Sequence, residues 1–274
     1  MFTAESTRTV PTALGDLHIR VVGEGSPAVA WHSMFVDSRS WDRVVPDLAR
    51  HRRLYLIDAP SSGLSDPLRQ ATDIMGCTRA AVEVLQALDS ELDGPVDWIG
   101  NAWGGHVGME LAAMHPEYVR SLVAISAPTH PIDRGLRMKV TVLKPLYRIF
   151  GSRGLPARAI EETLFTDRTR STDHEALELL RSSMRRSSKA GMVRAIETAI
   201  LNRTDLGWAA AAIDCPVLFV TTDDRGEWTP EEAQAVAAMM TDARVITVQD
   251  SRVIPAIEQA EALARAVVAF WGCE

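Results

Sequence analysis

The last 100 residues of this 274-residue chain contain no histidine; the seven present are His18, His32, His51, His106, His115, His130 and His174. Cysteine is nearly as scarce. Cys77, Cys215 and Cys273 are odd in number, far apart and without metal-ligand spacing, which argues against a disulfide framework or a zinc cluster. They read as free thiols of a reducing compartment. No apolar run approaches the roughly 18 residues needed to cross a bilayer, and residues 1–8 lack the apolar centre of a signal peptide. A net charge of -7 speaks against a basic face for phosphate backbones. Repeats and low-complexity segments are absent. The expectation is a cytoplasmic protein whose partner is a small molecule, with no nucleic acid, no membrane, no metal and no cofactor. Nothing in the pattern sets an oligomeric state.

Hydrophobic residues at 46% and charged residues at 24% are enough for one large α/β domain with a sizeable core. Short apolar runs at 17–22, 28–31, 54–57, 96–99 and 121–125 alternate with amphipathic stretches at 80–88 and 103–115, the pattern of a mainly parallel sheet covered on both faces. Ser38 is placed to cap a helix carrying Trp41, Val44, Val45 and Leu48 on one face. From 128 to 204 strand signals vanish. Arginine-rich helical segments take over at 137–150, 157–164 and 176–184, with Pro145 expected to kink or end the first. Alternation returns with a strand at 216–220, a helix opened by Thr229-Pro230-Glu231-Glu232, a strand at 244–248 and a helix over 257–271. The domain layout that follows is a core of 1–127 and 205–274 with a helical cap at 128–204.

The stretch Gly100-Asn101-Ala102-Trp103-Gly104-Gly105 directly follows a strand and opens a helix. It resembles the nucleophile elbow of the α/β-hydrolase fold, in which small neighbours let strand and helix approach across a strained turn. Other segments agree in order. Trp31-His32-Ser33-Met34 resembles the family's His-Gly turn, Asp58-Ala59-Pro60-Ser61-Ser62-Gly63-Leu64-Ser65 its Asp-x-x-Gly-x-Gly-x-Ser loop, and 255–258 its Pro-x-x-Glu segment. The resemblance implies a mostly parallel central sheet flanked by helices, with the site at the carboxyl ends of the strands.

The family's chemistry transfers less readily. Ser-dependent members use Ser, then Asp or Glu, then His, in chain order. The resemblance puts Ala102 on the serine position and Val253 on the histidine position. It puts Arg225 on the acid position, with Asp224 one residue away. No one-residue shift restores the base, because no imidazole follows His174. An engineered serine-to-alanine change would leave histidine and acid in place, so their joint absence favours natural divergence.

The backbone amides of Ser33 and Trp103 are then the expected oxyanion donors, with Asp224 a candidate carboxylate. Met34, Ala102, His130, Trp228 and Val253 are the candidate substrate contacts. His32 and Asp58 read as loop-holding residues, His106 as packed or exposed, and Arg252 as solvated surface. Three functions stay open. One is a non-triad conversion of a small, largely apolar metabolite, such as a cyclisation, isomerisation, elimination or addition. Another is a non-catalytic ligand-binding protein. The third is an ester, lactone or epoxide hydrolase, inactivated at Ala102 or using another acid and base.

Overall fold

The computed structural model describes residues 5–224 and 226–273. Eight strands form one sheet in the order β1-β2-β4-β3-β5-β6-β7-β8. They are β1 (Ser6–Thr12), β2 (Gly15–Val22), β3 (Pro27–Trp31), β4 (Arg53–Ile57), β5 (Val96–Asn101), β6 (Val119–Ile125), β7 (Val217–Thr222) and β8 (Ala243–Val248). β2 runs antiparallel to both β1 and β4, and every other pairing is parallel. β3, β5 and β7 are buried along their whole length. They read as continuous apolar runs because helices cover both faces of a parallel sheet.

The helix Ile74–Ala87, capped by the Asp73 carboxylate on the Gly76 N–H, packs against the elbow helix Trp103–Met114. The helix Pro230–Ala237 carries the full capping box between Thr229 and Glu232. Between β6 and β7 the chain makes a helical insertion containing Arg134–Phe150, Gly154–Leu164, Asp167–Thr172, His174–Arg186 and Lys189–Ile196. A π-helical turn, Glu197–Leu201, continues the last of these, and the helix Gly207–Ala212 returns the chain to the elbow helix.

Several expectations need correction. Pro145 does not end its helix, which runs through to Phe150. The segment after Ser38 is not one helix. Asp37 caps a 3-10 turn at Ser38–Trp41, and a separate single turn follows at Val45–Leu48. The C-terminal helix is likewise divided, into Pro255–Glu258 and Ala260–Phe270. β1 escapes a pattern reading because its sequence, STRTVPT, is polar and alternately exposed at the sheet edge.

Asp58, at the end of β4, ties three segments together. Its carboxylate accepts from the Ser38 N–H at 2.8 Å, the Leu64 N–H at 2.9 Å and His18 Nδ1 at 3.1 Å. Burial pushes this carboxyl up, but the His18 hydrogen bond, the Leu64 amide, His32 and the Ser38 amide outweigh burial and hold it at about 2. Because the folded value lies below the ordinary 3.8, the linked stability is present above pH 3.8 and lost as pH falls through 2. Asp58→Asn is expected to cost about 2 kcal/mol near neutral pH and to flatten the acid limb of the stability curve. An unchanged denaturation midpoint would show that the loop is held by other bonds.

Candidate active site

The elbow is built by close backbone approach. A Cβ on Gly100 would lie 2.1 Å from the Gly104 carbonyl, and one on Gly104 would lie 2.0 Å from the Trp31 carbonyl oxygen. A Cβ on Gly105 would meet the Ala127 methyl at 2.5 Å. Three side-chain-free positions thus let β5, β3 and the elbow helix meet. Ala102 pivots between strand and helix at φ 46 and ψ -100, in the left-handed half of backbone space. Such a residue costs about 1–3 kcal/mol and persists only where its surroundings fix it. Here the Ala102 N–H donates to the Ile125 carbonyl at 2.7 Å and its carbonyl accepts from His106 N. Its methyl is half-exposed at the carboxyl edge of the sheet.

β3 and β5 pair in parallel up to Trp31↔Gly100, and Ser33 and Ala102 each follow two residues later at the same edge of the sheet. The Trp31 and Trp103 rings meet edge-on at 5.9 Å. Among the described residues, neither the Ser33 nor the Trp103 N–H has an acceptor within the protein. His32 is fully buried and holds the turn. The Ala59 N–H donates to Nε2 at 2.9 Å, so Nδ1 carries the proton given to the Ser33 carbonyl at 2.6 Å. Burial lowers its pKa, leaving the ring neutral.

Val253 is half-buried and joins the elbow to the insertion. Its carbonyl accepts from Asn101 Nδ2 at 2.9 Å, and its N–H donates to the Leu164 carbonyl at 3.3 Å. Asp224 faces Arg252, whose Nη2 and Nε donate to the same carboxylate oxygen at 2.7 and 3.2 Å. Arg252 is only 4% exposed, which corrects the expectation of a solvated residue. Its guanidinium also donates to the Glu162 carbonyl and approaches Asp167 at 3.5 Å. Glu258 completes the network by accepting from the Arg252 N–H at 2.8 Å and the Thr166 N–H at 2.8 Å. The cation is buried because carboxylate and carbonyl oxygens surround it on both sides. Arg225 lies outside the described residues.

The remaining candidates are dispersed. Met34 is buried. Trp228 is buried edge-on to Phe219 at 4.9 Å. His130 is half-buried, with Nδ1 donating to the Pro131 carbonyl at 3.1 Å. His106 is packed, with Nε2 donating to the Pro128 carbonyl, and burial lowers its pKa well below the usual range. Cavities of about 350, 630 and 380 Å³ open elsewhere on the molecule, and none of these three is lined by Ala102, Trp103 or Val253.

Two residues beside the site went unread in the sequence. Ser126, next to the Ile125 carbonyl that holds Ala102, has φ 49 and a buried Oγ without a partner among the described residues. On the elbow helix itself Glu110 is buried, with Oε1 unpartnered among the described residues. Burial and the Asp73 charge push its carboxyl up to about 7 despite Arg79. Cys77 stands close enough to feel that charge, and burial raises its thiol to about 12. Neither residue carries a spacing signal, since only packing decides what surrounds it. No group of His, Cys, Asp and Glu among the described residues is arranged to hold a metal.

A model described as "Alpha/beta hydrolase family" matches residues 27–266. The chain belongs to the alpha/beta hydrolase family. A pimeloyl-[acyl-carrier protein] methyl ester esterase of Klebsiella pneumoniae is 30% identical over 115 residues, a match spanning 42% of each chain. The esterase of the same name from Xanthomonas campestris pv. campestris is 28% identical over 93% of this chain and 98% of its own. Among solved structures, an enol-lactonase from Burkholderia xenovorans superposes with TM-score 0.85 at 22% identity, covering 97% of this chain and 100% of that one. A thermophilic esterase from Thermogutta terrifontis gives the same TM-score at 18% identity, covering 98% of both chains. At such identities these structures establish the fold of this alpha/beta hydrolase.

Arg252→Ala is expected to cost about 3 kcal/mol by removing the buried cation that Asp224 and the Glu162 carbonyl share, and to speed amide exchange across 162–167. Unchanged exchange there would show that other contacts hold the insertion down. For Glu110 the sign is opposite to that of Asp58. Its folded value lies above the ordinary 4.5, so stability falls as pH rises from 4.5 to 7 and stays reduced above. Glu110→Gln is expected to stabilise the protein by about 2–3 kcal/mol at pH 8 and hardly at all at pH 4. Equal effects at both pH values would refute the raised carboxyl.

Proposed function

We propose that this alpha/beta hydrolase converts a small, largely apolar carbonyl metabolite without a Ser-His-Asp triad, through two backbone amides at the elbow. The observation that carries the reading is the pair of Ser33 and Trp103 N–H groups without an acceptor among the described residues, the second of them directly after the strained turn at Ala102. Methyl at 102 and isopropyl at 253 offer no nucleophile and no base. Asp224 is engaged by Arg252 rather than by an imidazole.

The Trp103 amide opens a helix, where the dipole favours developing negative charge. In triad enzymes roughly 10³–10⁴-fold catalysis survives loss of the triad, from the oxyanion hole and binding alone. That scale serves an already facile cyclisation, isomerisation, elimination or addition, and falls short of amide hydrolysis. The helical insertion acts as the cap. With Met34, Trp103 and Val253 near the elbow it makes a dry site suited to an apolar ligand, and His130 and Trp228 are candidate contacts at its margin. The methyl ester and enol-lactone in the names of the relatives each contain the kind of carbonyl that such amides stabilise.

A second reading, a ligand-binding protein without catalysis, is favoured by the position of the three cavities away from Ala102. A crystal grown with a small carboxylate or enolate analogue separates the two. The catalytic reading expects one ligand oxygen about 3 Å from both the Ser33 and Trp103 nitrogens. An amide turned away from the ligand gives the binding reading the lead. The protein is also expected to resist serine-directed fluorophosphonates, and Ala102→Ser is expected to recover little ester hydrolysis. Strong hydrolysis by that variant would reveal a general base elsewhere and restore the hydrolase reading.

A further inference from the structure

The helices Arg134–Phe150 and Gly154–Leu164 carry apolar side chains on the side facing away from the core. At about 100° per residue, Met138, Val142 and Ile149 fall within about 40° of one another. Val140, Leu143 and Tyr147 lie on the opposite side and supply the inward contacts, with Val140 and Tyr147 buried. The outer residues remain exposed, Met138 at 69% and Ile149 at 64%, and Leu155 on the next helix stands out at 74%. A groove of about 380 Å³ runs between the two helices, lined by apolar side chains and Lys139. A contiguous exposed apolar surface of this kind marks an interaction site.

The charge around it is mostly positive. The two helices, residues 134–164, contain seven basic residues and two acidic ones, Glu161 and Glu162 at the end of the second helix, which pair with Arg181 and Arg170, in a chain whose net charge is -7. Arg134, Arg137, Lys139, Arg148, Arg153 and Arg158 are all exposed, and among the described residues none is in an ion pair. On the first helix Arg134, Arg137 and Arg148 flank the apolar stripe on one side and Lys139 on the other.

We propose that this face docks the protein on an anionic lipid surface, with the apolar stripe entering the headgroup boundary and the flanking cations meeting lipid phosphates. A helix lying in a membrane interface combines these features, apolar side chains on one face with cations beside them. A predominantly positive rim, with its exposed carboxylates Asp133 and Glu162 confined to the two ends of the helix pair, matches a negatively charged sheet. Two copies of the face would repel each other, which disfavours a self-pairing of this surface. Apolar tips spread over two helices need no complementary pocket in lipid, and the groove offers room for part of an acyl chain. No helix among the described residues is long and apolar enough to cross a membrane. The expectation of no membrane partner rests on the lack of a spanning run, which does not register a local basic face. The proposal is independent of the chemistry at the elbow.

The test is co-sedimentation of the full chain with phosphatidylcholine vesicles, with and without phosphatidylglycerol. Binding is expected only to the mixed vesicles, weakening steeply with added salt. Met138→Ser with Ile149→Ser, and separately Arg137→Glu with Arg148→Glu, are each expected to weaken it about tenfold or more with the thermal midpoint unchanged. Failure to sediment with either vesicle, or equal binding to both, overturns the proposal. So does a concentration-dependent dimer that Met138→Ser abolishes, which would make the occupant a second copy. Binding of an acidic amphipathic peptide without any vesicle binding would make it a protein partner and overturn the proposal equally.

Discussion

Backbone crowding at Gly100, Gly104 and Gly105 governs the carboxyl edge of this sheet. A methyl group at any of the three would overlap atoms of β3, the elbow helix or the segment after β6. Because those elements meet without side chains between them, Ala102 is held at φ 46 by bonds on both sides of its peptide. The position of the Trp103 amide follows from that turn. The turn carrying Ser33 leaves the same edge of the sheet, since β3 and β5 pair up to Trp31 and Gly100. The strain is local, and the buried neighbours of the turn sustain it.

A second constraint joins the insertion to the core. In Ser-dependent members of this family the acid and the histidine follow the strands that correspond to β7 and β8. In this chain the loops after those strands meet through Asp224 and Arg252, and the guanidinium reaches on to Glu162 and Asp167 of the insertion. Arginine suits that place because its planar fork offers several donors to separate oxygens at once and stays charged. Asn101, directly before the elbow alanine, ties the same loop to the elbow through the Val253 carbonyl. Hydrogen bonds thus tie elbow, loop and insertion together.

Charge is unevenly shared between the two parts. The core holds a bonded acid in Asp58, whose amide and imidazole partners keep it ionised far below neutral pH. Glu110 is the exception: buried on the elbow helix with one oxygen unpartnered among the described residues, its carboxyl is pushed up to about 7. The helices at 134–160 hold unpaired cations at the surface. Net charge averages these environments and conceals each of them.

The glycine spacing around Ala102, the apolar runs of the parallel strands, the capping box at Thr229 and the change to helical pattern after 128 were all legible in the sequence. Each is local, so residues close in the chain carry the whole signal. The alanine at 102 and the lack of histidine beyond 174 are likewise facts of the sequence. Tertiary structure alone decided the rest. It buried Arg252, which reads as surface until Asp224 and the Glu162 carbonyl surround it, and it set Val253 between Asn101 and Leu164. It isolated the Ser126 hydroxyl and the Glu110 carboxyl, and it ran the Arg134–Phe150 helix through Pro145. A charged group's cost depends on which distant segments replace its water, and those segments are chosen by packing rather than by neighbours in the chain.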